Sequence, residues 1–144
     1  MKYIMLLVWP VILLLACEKQ DDNIELALRS SCDQEAIVDQ DLFDSATSSH
    51  VTIEETEIDG NCLRIKFSAS GCNGGTWKLR LVAAEQVKYS LPPQRDVRLI
   101  LENNELCQAH LTRELTFDIS DLRSNGEFTL LNVINSEQQL RYNH

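Results

Sequence analysis

The chain has 144 residues and a net charge of −9, from 22 acidic and 13 basic side chains. Residues 18–60 hold thirteen of the acids against two bases, whereas residues 61–144 are close to neutral. Nucleic-acid affinity depends on cations that neutralise phosphates, so an acidic chain without a basic segment is poorly suited to that partner. The same balance argues against electrostatic attraction to anionic lipid.

The first sixteen residues have the pattern of an export signal. Residues 3–15 are uncharged and mostly apolar, a run shorter than the roughly 20 residues of a membrane-spanning helix. Pro10 interrupts the run and argues against a buried core helix. The run ends in "LLAC" (14–17), which resembles a bacterial lipobox, where a peptidase cuts before the cysteine. The resemblance implies acyl chains on Cys17 that anchor the protein in a membrane.

An ordinary cleaved signal, with Cys17 as a structural thiol, is the alternative. Cleavage before Cys17 would leave 128 residues, enough for one domain with a substantial core. We therefore expect a lipoprotein signal peptide at residues 1–16, a lipid-anchored flexible tether at residues 17–24, and a single disulfide-stabilised β domain at residues 25–144.

Four cysteines remain once Cys17 is assigned to lipid: Cys32, Cys62, Cys72 and Cys107. An exported protein passes through an oxidising compartment, so two disulfides are expected, with three connectivities to choose between. Zinc is the alternative, but the four cysteines contain no CxxC pair of the kind that is typical of zinc sites.

The first part of the predicted domain gives no clear element. A short helix or an irregular strand is expected around residues 36–38, followed by a Ser/Thr-rich loop. From Val51 onward, polar and apolar residues alternate with the period of two that is typical of half-buried strands. Residues 51–70 predict a hairpin that turns at residues 59–61. The side chains predicted to share its core face are Leu63, Ile65 and Phe67.

Two interruptions separate the later predicted strands. "GCNGG" (71–75) predicts a turn, and "SLPPQRD" (90–96) is a break because proline cannot donate to a central ladder. After the first interruption, Trp77, Leu79 and Leu81 are expected on one face. The remaining candidate strands are residues 97–101, 111–119, 127–134 and 138–143.

Six or more short alternating strands predict an all-β domain. The expected architecture is an antiparallel β-sandwich, with an immunoglobulin-like arrangement as one option. An open β-barrel is the alternative.

Strand geometry favours one disulfide pairing. Cys62 and Cys72 bracket a single predicted strand whose ten residues span about 33 Å, whereas bonded cysteines need Cα atoms within about 7 Å. We expect Cys72–Cys107 at one end of the sandwich and Cys32–Cys62 at the other. If "VKYSL" (87–91) forms a full extra strand, the cysteines that follow it lie at the opposite end of the sandwich. The pairs then become Cys32–Cys72 and Cys62–Cys107.

The stretch "EIDGNCLRIKFSASGCNGGTW", followed by "LPPQR", "NNELC" and "LTFDIS", resembles small lipoproteins of unknown function from Bacteroidota. The likeness extends from about residue 32 onward and implies no activity. In that phylum an acidic, lysine-containing stretch after the lipidated cysteine resembles a signal for export to the outer face of the outer membrane, and residues 18–22 (EKQDD) match it in part. The resemblance implies an outer-membrane lipoprotein with surface display; a solvated tether is the alternative for these residues.

Residue types that support catalysis are sparse. The histidines are His50, His110 and His144, the last of them expected to be frayed, and no GxSxG, HExxH or phosphate-loop motif occurs. An EF-hand calcium loop starting at Asp39 would need glycine at its sixth position and glutamate at its twelfth. Those positions hold Asp44 and His50, so the motif is not present. We predict no catalytic residues, no metal and no cofactor.

Basic side chains on exposed strand faces form the one candidate binding patch. Arg64, Lys66, Lys78 and Arg80 are expected together on neighbouring strands, with Glu54 opposite Lys66 across a three-residue turn. Such a patch would bind an anionic glycan or a protein partner. The alternative is a solvated face with ordinary cross-strand pairs.

These patterns predict a lipid-anchored protein of the bacterial cell envelope that binds or scaffolds an unknown partner and is not an enzyme. The rival is a small envelope hydrolase or inhibitor that acts through the loop at residues 84–96. Convergence of His50, His110 and "PPQR" (92–95) in one pocket, with an acid beside a histidine, would favour the rival.

Overall fold

A computed structural model describes residues 31–144; the predicted signal peptide, Cys17 and the predicted tether lie outside the described residues. No helix in the described part of the chain is long and apolar enough to cross a membrane. Residues 31–144 form nine strands, one α-helix, α1 (Gln40–Ser45), and one 3-10 helix (Ser120–Leu122). The strands are β1 (Gln34–Glu35), β2 (Ile37–Val38), β3 (Thr52–Asp59), β4 (Cys62–Gly71), β5 (Lys78–Lys88), β6 (Gln94–Glu102), β7 (Ala109–Asp118), β8 (Phe128–Val133) and β9 (Gln138–Asn143).

The strands form two sheets that share one core. Sheet A has the order β1-β7-β4-β3, and sheet B has the order β2-β5-β6-β8-β9. Both sheets contribute fully buried side chains to a single hydrophobic cluster. The predicted all-β sandwich is confirmed. The strands form two separate sheets and not the open barrel that was the alternative.

Four of the seven neighbouring strand pairs are antiparallel, as predicted, and the other three are parallel, so both sheets are mixed. β1 runs parallel to β7, β2 runs parallel to β5, and β6 runs parallel to β8. The β6–β8 pair is parallel because the chain leaves sheet B after β6, forms β7 in sheet A and then returns.

Period-two alternation places the predicted core face of the hairpin correctly. Leu63, Ile65 and Phe67 on β4 are fully buried. Leu79 and Leu81 on β5 are buried opposite them, and the remaining members of the cluster come mainly from β6, β7 and β8. Burying a side chain of this size stabilises the fold by about 1.5–3 kcal/mol relative to leaving it exposed.

The β3–β4 turn has two residues rather than the three expected. Asp59 pairs with Cys62, and Gly60 between them has a φ of 57°, a left-handed conformation that glycine adopts without a steric penalty. The shorter turn moves the register by one residue, so Glu55, and not Glu54, lies opposite Lys66.

Residues 34–45 close one side of the sandwich. β1 adds to the edge of sheet A, β2 adds to the edge of sheet B three residues later, and α1 follows. The strand option for residues 36–38 is therefore correct. Asp39, the start of the rejected calcium loop, caps the helix instead, with Oδ1 accepting from Leu42 N at 2.7 Å. No group of metal-ligating side chains occurs in residues 31–144.

Two disulfides hold the two ends of β4. Cys32 bonds Cys62 and Cys72 bonds Cys107, with Cα–Cα distances of 5.6 and 4.7 Å. These are the pairs favoured from strand geometry. The exchanged pairing required a separate strand at residues 87–91, but Val87 and Lys88 instead extend β5 and pair with Arg95 and Gln94 on β6.

Candidate functional site

The predicted basic patch does not form. Arg64 and Lys66 lie on β4 in sheet A, whereas Lys78 and Arg80 lie on β5 in sheet B. The glycine-rich segment "GCNGG" does not turn the chain back along the same sheet; it takes the chain across to the other one. Exposed side chains on the two stacked sheets therefore point away from each other.

Three of the four cations of the predicted patch are neutralised by a carboxylate on an adjacent strand. All of these pairs are at least one-third exposed, and exposed pairs contribute about 0–1 kcal/mol each. Lys78 alone makes no ion pair within residues 31–144, because the acid opposite it on β6 is bound to Arg80. The pairs are Arg64 with Glu57, Lys66 with Glu55, and Arg80 with Glu102.

The residues named for the hydrolase rival do not converge. His110 pairs with Ser70 at the far end of β4 from Cys62, and Ser49, next to His50, bonds Leu101 at the end of β6. "PPQR" lies at the start of β6, about 25 Å away along the strand. His144 is not frayed, since its Nε2 lies 2.9 Å from the Thr129 hydroxyl.

The "GCNGG" segment binds an anion, and that anion is the chain's own Glu105. Backbone N–H groups of Cys72, Asn73 and Gly74 all donate to Glu105 Oε2, at 2.5, 3.1 and 3.0 Å. The Thr76 hydroxyl donates to Oε1 at 3.0 Å. Successive N–H groups that converge on one oxygen form an anion-binding nest. Together with the Cys72–Cys107 disulfide, this nest fixes the loop before β7 against the loop after β4.

Glycine is required on both sides of this nest. A Cβ at Gly71 would lie 2.6 Å from Glu105 Oε2 and 2.8 Å from Trp77 Cζ2. Gly74 has a φ of 67°, and a Cβ there would meet Arg113 Nε at 2.8 Å. The glycines of this segment predict a turn, but they do not indicate its ligand, because Glu105 is distant along the chain.

Acid is expected to weaken the Glu105 nest. The backbone hydrogen bonds lower the pKa of Glu105 from its ordinary 4.5 to about 2. A carboxyl whose pKa is depressed by folding stabilises the fold fully above pH 4.5, and this contribution is lost as the pH falls toward 2. Glu105→Gln should therefore lower the thermal unfolding midpoint at pH 7, and its difference from the native chain should vanish near pH 2.

Thermal unfolding curves recorded from pH 7 to pH 2 measure this difference. The control is Glu127→Gln, which removes an equivalent charge from an exposed side chain and should match the native chain at every pH. A Glu105→Gln midpoint equal to the native one at pH 7 would contradict a stabilising role for the nest.

Two buried side-chain nitrogens lack a hydrogen-bond partner within residues 31–144: Trp77 Nε1 and Arg95 Nε. Buried polar groups in folded proteins nearly always have a partner, so each exception needs an explanation. The Trp77 side chain lines a groove, whereas Arg95 lies on the buried face of β6.

The Trp77 side chain lines a groove of about 470 Å³ between β7 and β5, which we call the Trp77 groove. The Arg113 guanidinium lies 5.7 Å from the centre of the indole ring, close enough for a cation–π interaction. Lys78 brings an ammonium without an ion-pair partner to the same groove. The residues that line the groove are Gln34, Gly74, Trp77, Lys78, Leu79, Arg113, Glu114 and Leu115.

The polar groups of the Trp77 groove are mainly hydrogen-bond donors. The Lys78 ammonium and the Arg113 guanidinium donate, Glu114 brings one carboxylate, and the indole ring and two leucines supply apolar contact. Ligand sites commonly combine apolar walls with a few convergent polar groups in this way. The groove is therefore suited to a ligand that presents acceptor oxygens beside an apolar surface.

Sequence reasoning placed Trp77 on the core face and did not single out Arg113 or Arg95. Trp77 and Arg113 come together only because β5 and β7 belong to different sheets that meet at one side of the sandwich. Arg95 had a visible signal. It lies two residues before Val97 and four before Leu99, so the alternation places its side chain on the same buried face of β6.

Comparisons with known proteins give a fold and no activity. No family model matches the chain, and no curated protein matches it. A solved structure that is similar is a protein of unknown function, DUF1344, from Bacteroides vulgatus ATCC 8482, with a TM-score of 0.53 and 17% sequence identity. The match covers 77% of this chain and 56% of that one, so this chain spans little more than half of the other protein. At this identity the likeness concerns the fold alone.

Proposed function

We propose that the chain is a non-enzymatic binding module of the bacterial cell envelope. In this proposal, acyl chains on Cys17 anchor it in the outer membrane, and the domain is displayed at the cell surface. The lipobox-like "LLAC" supports the anchor, and the two disulfides of the described domain suit an exported protein. The similar fold of an uncharacterised Bacteroides protein agrees with such a source.

One observation in particular supports a binding role: an open groove is lined by the Trp77 side chain together with two cations, Lys78 and Arg113. The Lys78 ammonium has no ion-pair partner within residues 31–144, because the acid opposite it is bound to Arg80. Lys78 and Arg113 favour a ligand that carries negative charge, such as an acidic segment of a protein or an anionic glycan.

The described side chains support a role without catalysis. Hydrolytic enzymes need a nucleophile, a base and a group that orients the base, all within hydrogen-bond reach. Within residues 31–144, the only histidine ring that forms a hydrogen bond is that of His144, and its partner is the hydroxyl of Thr129. No carboxylate orients that ring in the same part of the chain.

A photo-crosslinking amino acid placed at position 78 should capture a partner in intact cells. The groove would hold that partner against the Trp77 ring, so Trp77→Phe, which reduces the aromatic surface that lines the groove, should reduce the crosslinked fraction several-fold. Gel analysis of the crosslinked species measures the yield.

The matched control places the crosslinker at position 141, on the strand at the opposite edge of sheet B. That position should not give the band seen at position 78. The same species at both positions, or a yield unchanged by Trp77→Phe, would argue against the groove as the binding site.

A further inference from the structure

Large apolar side chains are fully exposed in the loop that joins β5 to β6, which we call the YSLPP loop (residues 89–93). Tyr89 is 93% exposed and Leu91 is completely exposed. Within residues 31–144 one other large apolar side chain is exposed to the same degree, Leu106, and it lies alone in the loop before β7. A single exposed leucine is ordinary on a protein surface, whereas two such side chains within three residues require an explanation.

The YSLPP loop is held in shape by hydrogen bonds. The backbone N–H of Ser90 donates to Lys88 O at 2.8 Å, and the Ser90 hydroxyl donates to Pro92 O at 2.6 Å. The carbonyl of Pro93 accepts from Leu130 N of β8 at 3.0 Å, which fixes the end of the loop to sheet B. The two prolines restrict the backbone further. The exposure of the apolar side chains is therefore built into the fold, and little conformational freedom would be lost when they bind a partner.

The YSLPP loop lies at the end of the sandwich where the described chain begins. Tyr89 and Pro93 line a small cavity together with Arg123. Arg123 also lines a depression with Ser31, the first described residue, and with Cys62, where β4 begins. The loop and the start of the described chain are therefore at the same end of the domain.

The cations beside the YSLPP loop already have partners. Lys88, which precedes the loop, forms an ion pair with Asp96 at 2.7 Å. The Arg123 guanidinium donates to the Tyr142 hydroxyl at 3.1 Å and to Asn61 Oδ1 at 2.9 Å. Affinity at this end of the domain would therefore come from apolar contact and not from attraction to an anion.

Given the lipid anchor of the proposed function, on which this step rests, we propose that the YSLPP loop enters the surface of the bilayer that holds Cys17. Tyrosine is enriched at membrane–water interfaces, where the ring lies among the headgroups and the hydroxyl stays in water. Leucine transfers favourably into hydrocarbon. Tyr89 and Leu91 supply these two types of side chain in one loop, at the end of the domain nearest to the anchor.

The anchor makes a weak contact of this kind sufficient. Residues 18–30 connect Cys17 to Ser31, and a tethered domain meets the bilayer at an effective concentration in the millimolar range. Two apolar side chains that would not hold a free domain on a membrane can therefore orient an anchored one. The contact would place the Ser31 end of the sandwich against the bilayer and leave the Trp77 groove, on the side of the sandwich, accessible.

Quenching by brominated lipid tests the contact. The full chain, with Tyr89→Trp as the reporter, is expressed with its own predicted signal, purified in neutral detergent and reconstituted in phosphatidylcholine vesicles. The emission added by this tryptophan should be mostly lost when the lipid carries bromine on its acyl chains, because bromine quenches an indole only at short range. The loss should persist at high salt, since screening acts on charges. Adding Leu91→Asp should abolish the quenching, because a carboxylate is costly in hydrocarbon.

The matched control is Leu106→Trp, at a side chain that is 96% exposed. Leu106 precedes Cys107, which is bonded to Cys72 at the other end of β4 from Cys62, so a tryptophan there should not be quenched. Equal quenching at both positions, no quenching at position 89, or loss of that quenching at high salt would each overturn the proposal. Emission from position 89 that shifts to the blue without quenching would identify a protein or a second copy as the occupant and would also overturn it.

Flotation of the same vesicles separates the loop contact from the anchor. Protein that floats with the vesicles while position 89 stays unquenched would keep the anchor and overturn the loop contact. Protein that does not float would overturn both. Crosslinking at position 78 reports on the Trp77 groove independently of either result.

Discussion

Cells that express the Cys17→Ala variant are expected to incorporate no clickable fatty acid into this protein, whereas the native chain should be labelled. The acyl chains of a lipobox protein attach to the cysteine thiol, and alanine has none. One acyl chain binds a membrane only marginally, and each further buried methylene contributes about 0.8 kcal/mol. Loss of all chains should therefore move the protein from the membrane fraction to the soluble fraction. In-gel fluorescence after click chemistry measures the labelling.

The control for the Cys17→Ala variant removes other cysteines from the same chain. A Cys32→Ser/Cys62→Ser double variant should keep full labelling, because those thiols form a disulfide in the domain. Fatty acid that still attaches to Cys17→Ala would contradict the lipoprotein assignment. Protease added to intact cells should degrade the domain of the native protein if it is displayed at the surface.

An anchor at Cys17 would constrain how the domain faces the membrane. Residues 18–30 separate Cys17 from the described chain, and thirteen extended residues span up to about 45 Å. Ser31 lies at the end of the sandwich that also holds Arg123. The Trp77 groove lies along the side of the sandwich, between β7 and β5. An anchor at the Ser31 end would therefore leave the groove open to a partner.

Alternation with a period of two was sufficient to locate most strands and their core faces. It succeeded for β4, β5 and β6, because each has one face in a shared core, and a half-buried strand must alternate. It could not assign strands to sheets. The inward-facing side chains of β4 and β5 alternate in the same way whether the two strands are neighbours in one sheet or partners across a sandwich. The pattern therefore predicts a turn at "GCNGG" (71–75) but does not show that this turn crosses to the other sheet.

The predicted binding patch does not form because β4 and β5 lie in different sheets, which the alternation does not reveal. Exposed cations are also weak indicators of a site, since Arg64, Lys66 and Arg80 each meet an acid on the next strand. A better sequence signal is a polar residue at a position where the pattern demands an apolar one. Arg95 has that signal. Trp77 does not, since an aromatic residue at an inward position is ordinary, and its unpaired nitrogen is visible only once the surrounding groove is known.

The Cys32→Ser/Cys62→Ser variant is expected to lose about 3–4 kcal/mol of unfolding free energy. This value follows from the chain entropy that a cross-link of this span removes from the unfolded state; here the cysteines are 30 residues apart. The Cys72–Cys107 disulfide spans 35 residues, so entropy alone predicts nearly the same loss. We expect the second loss to be smaller in practice, because the Glu105 nest still joins the same two loops after that disulfide is removed.

Denaturant unfolding of Cys32→Ser/Cys62→Ser and of Cys72→Ser/Cys107→Ser, monitored by tryptophan fluorescence, measures these losses. Cys17→Ala is the control, since Cys17 lies outside the disulfide-bonded domain and its removal should leave the unfolding free energy unchanged. Equal losses in both double variants would show that the nest adds no stability beyond the disulfide. A loss under about 1 kcal/mol for Cys32→Ser/Cys62→Ser would contradict the entropic argument. Because Cys32 lies near the start of the domain, this disulfide would also secure the anchored end of the domain to β4.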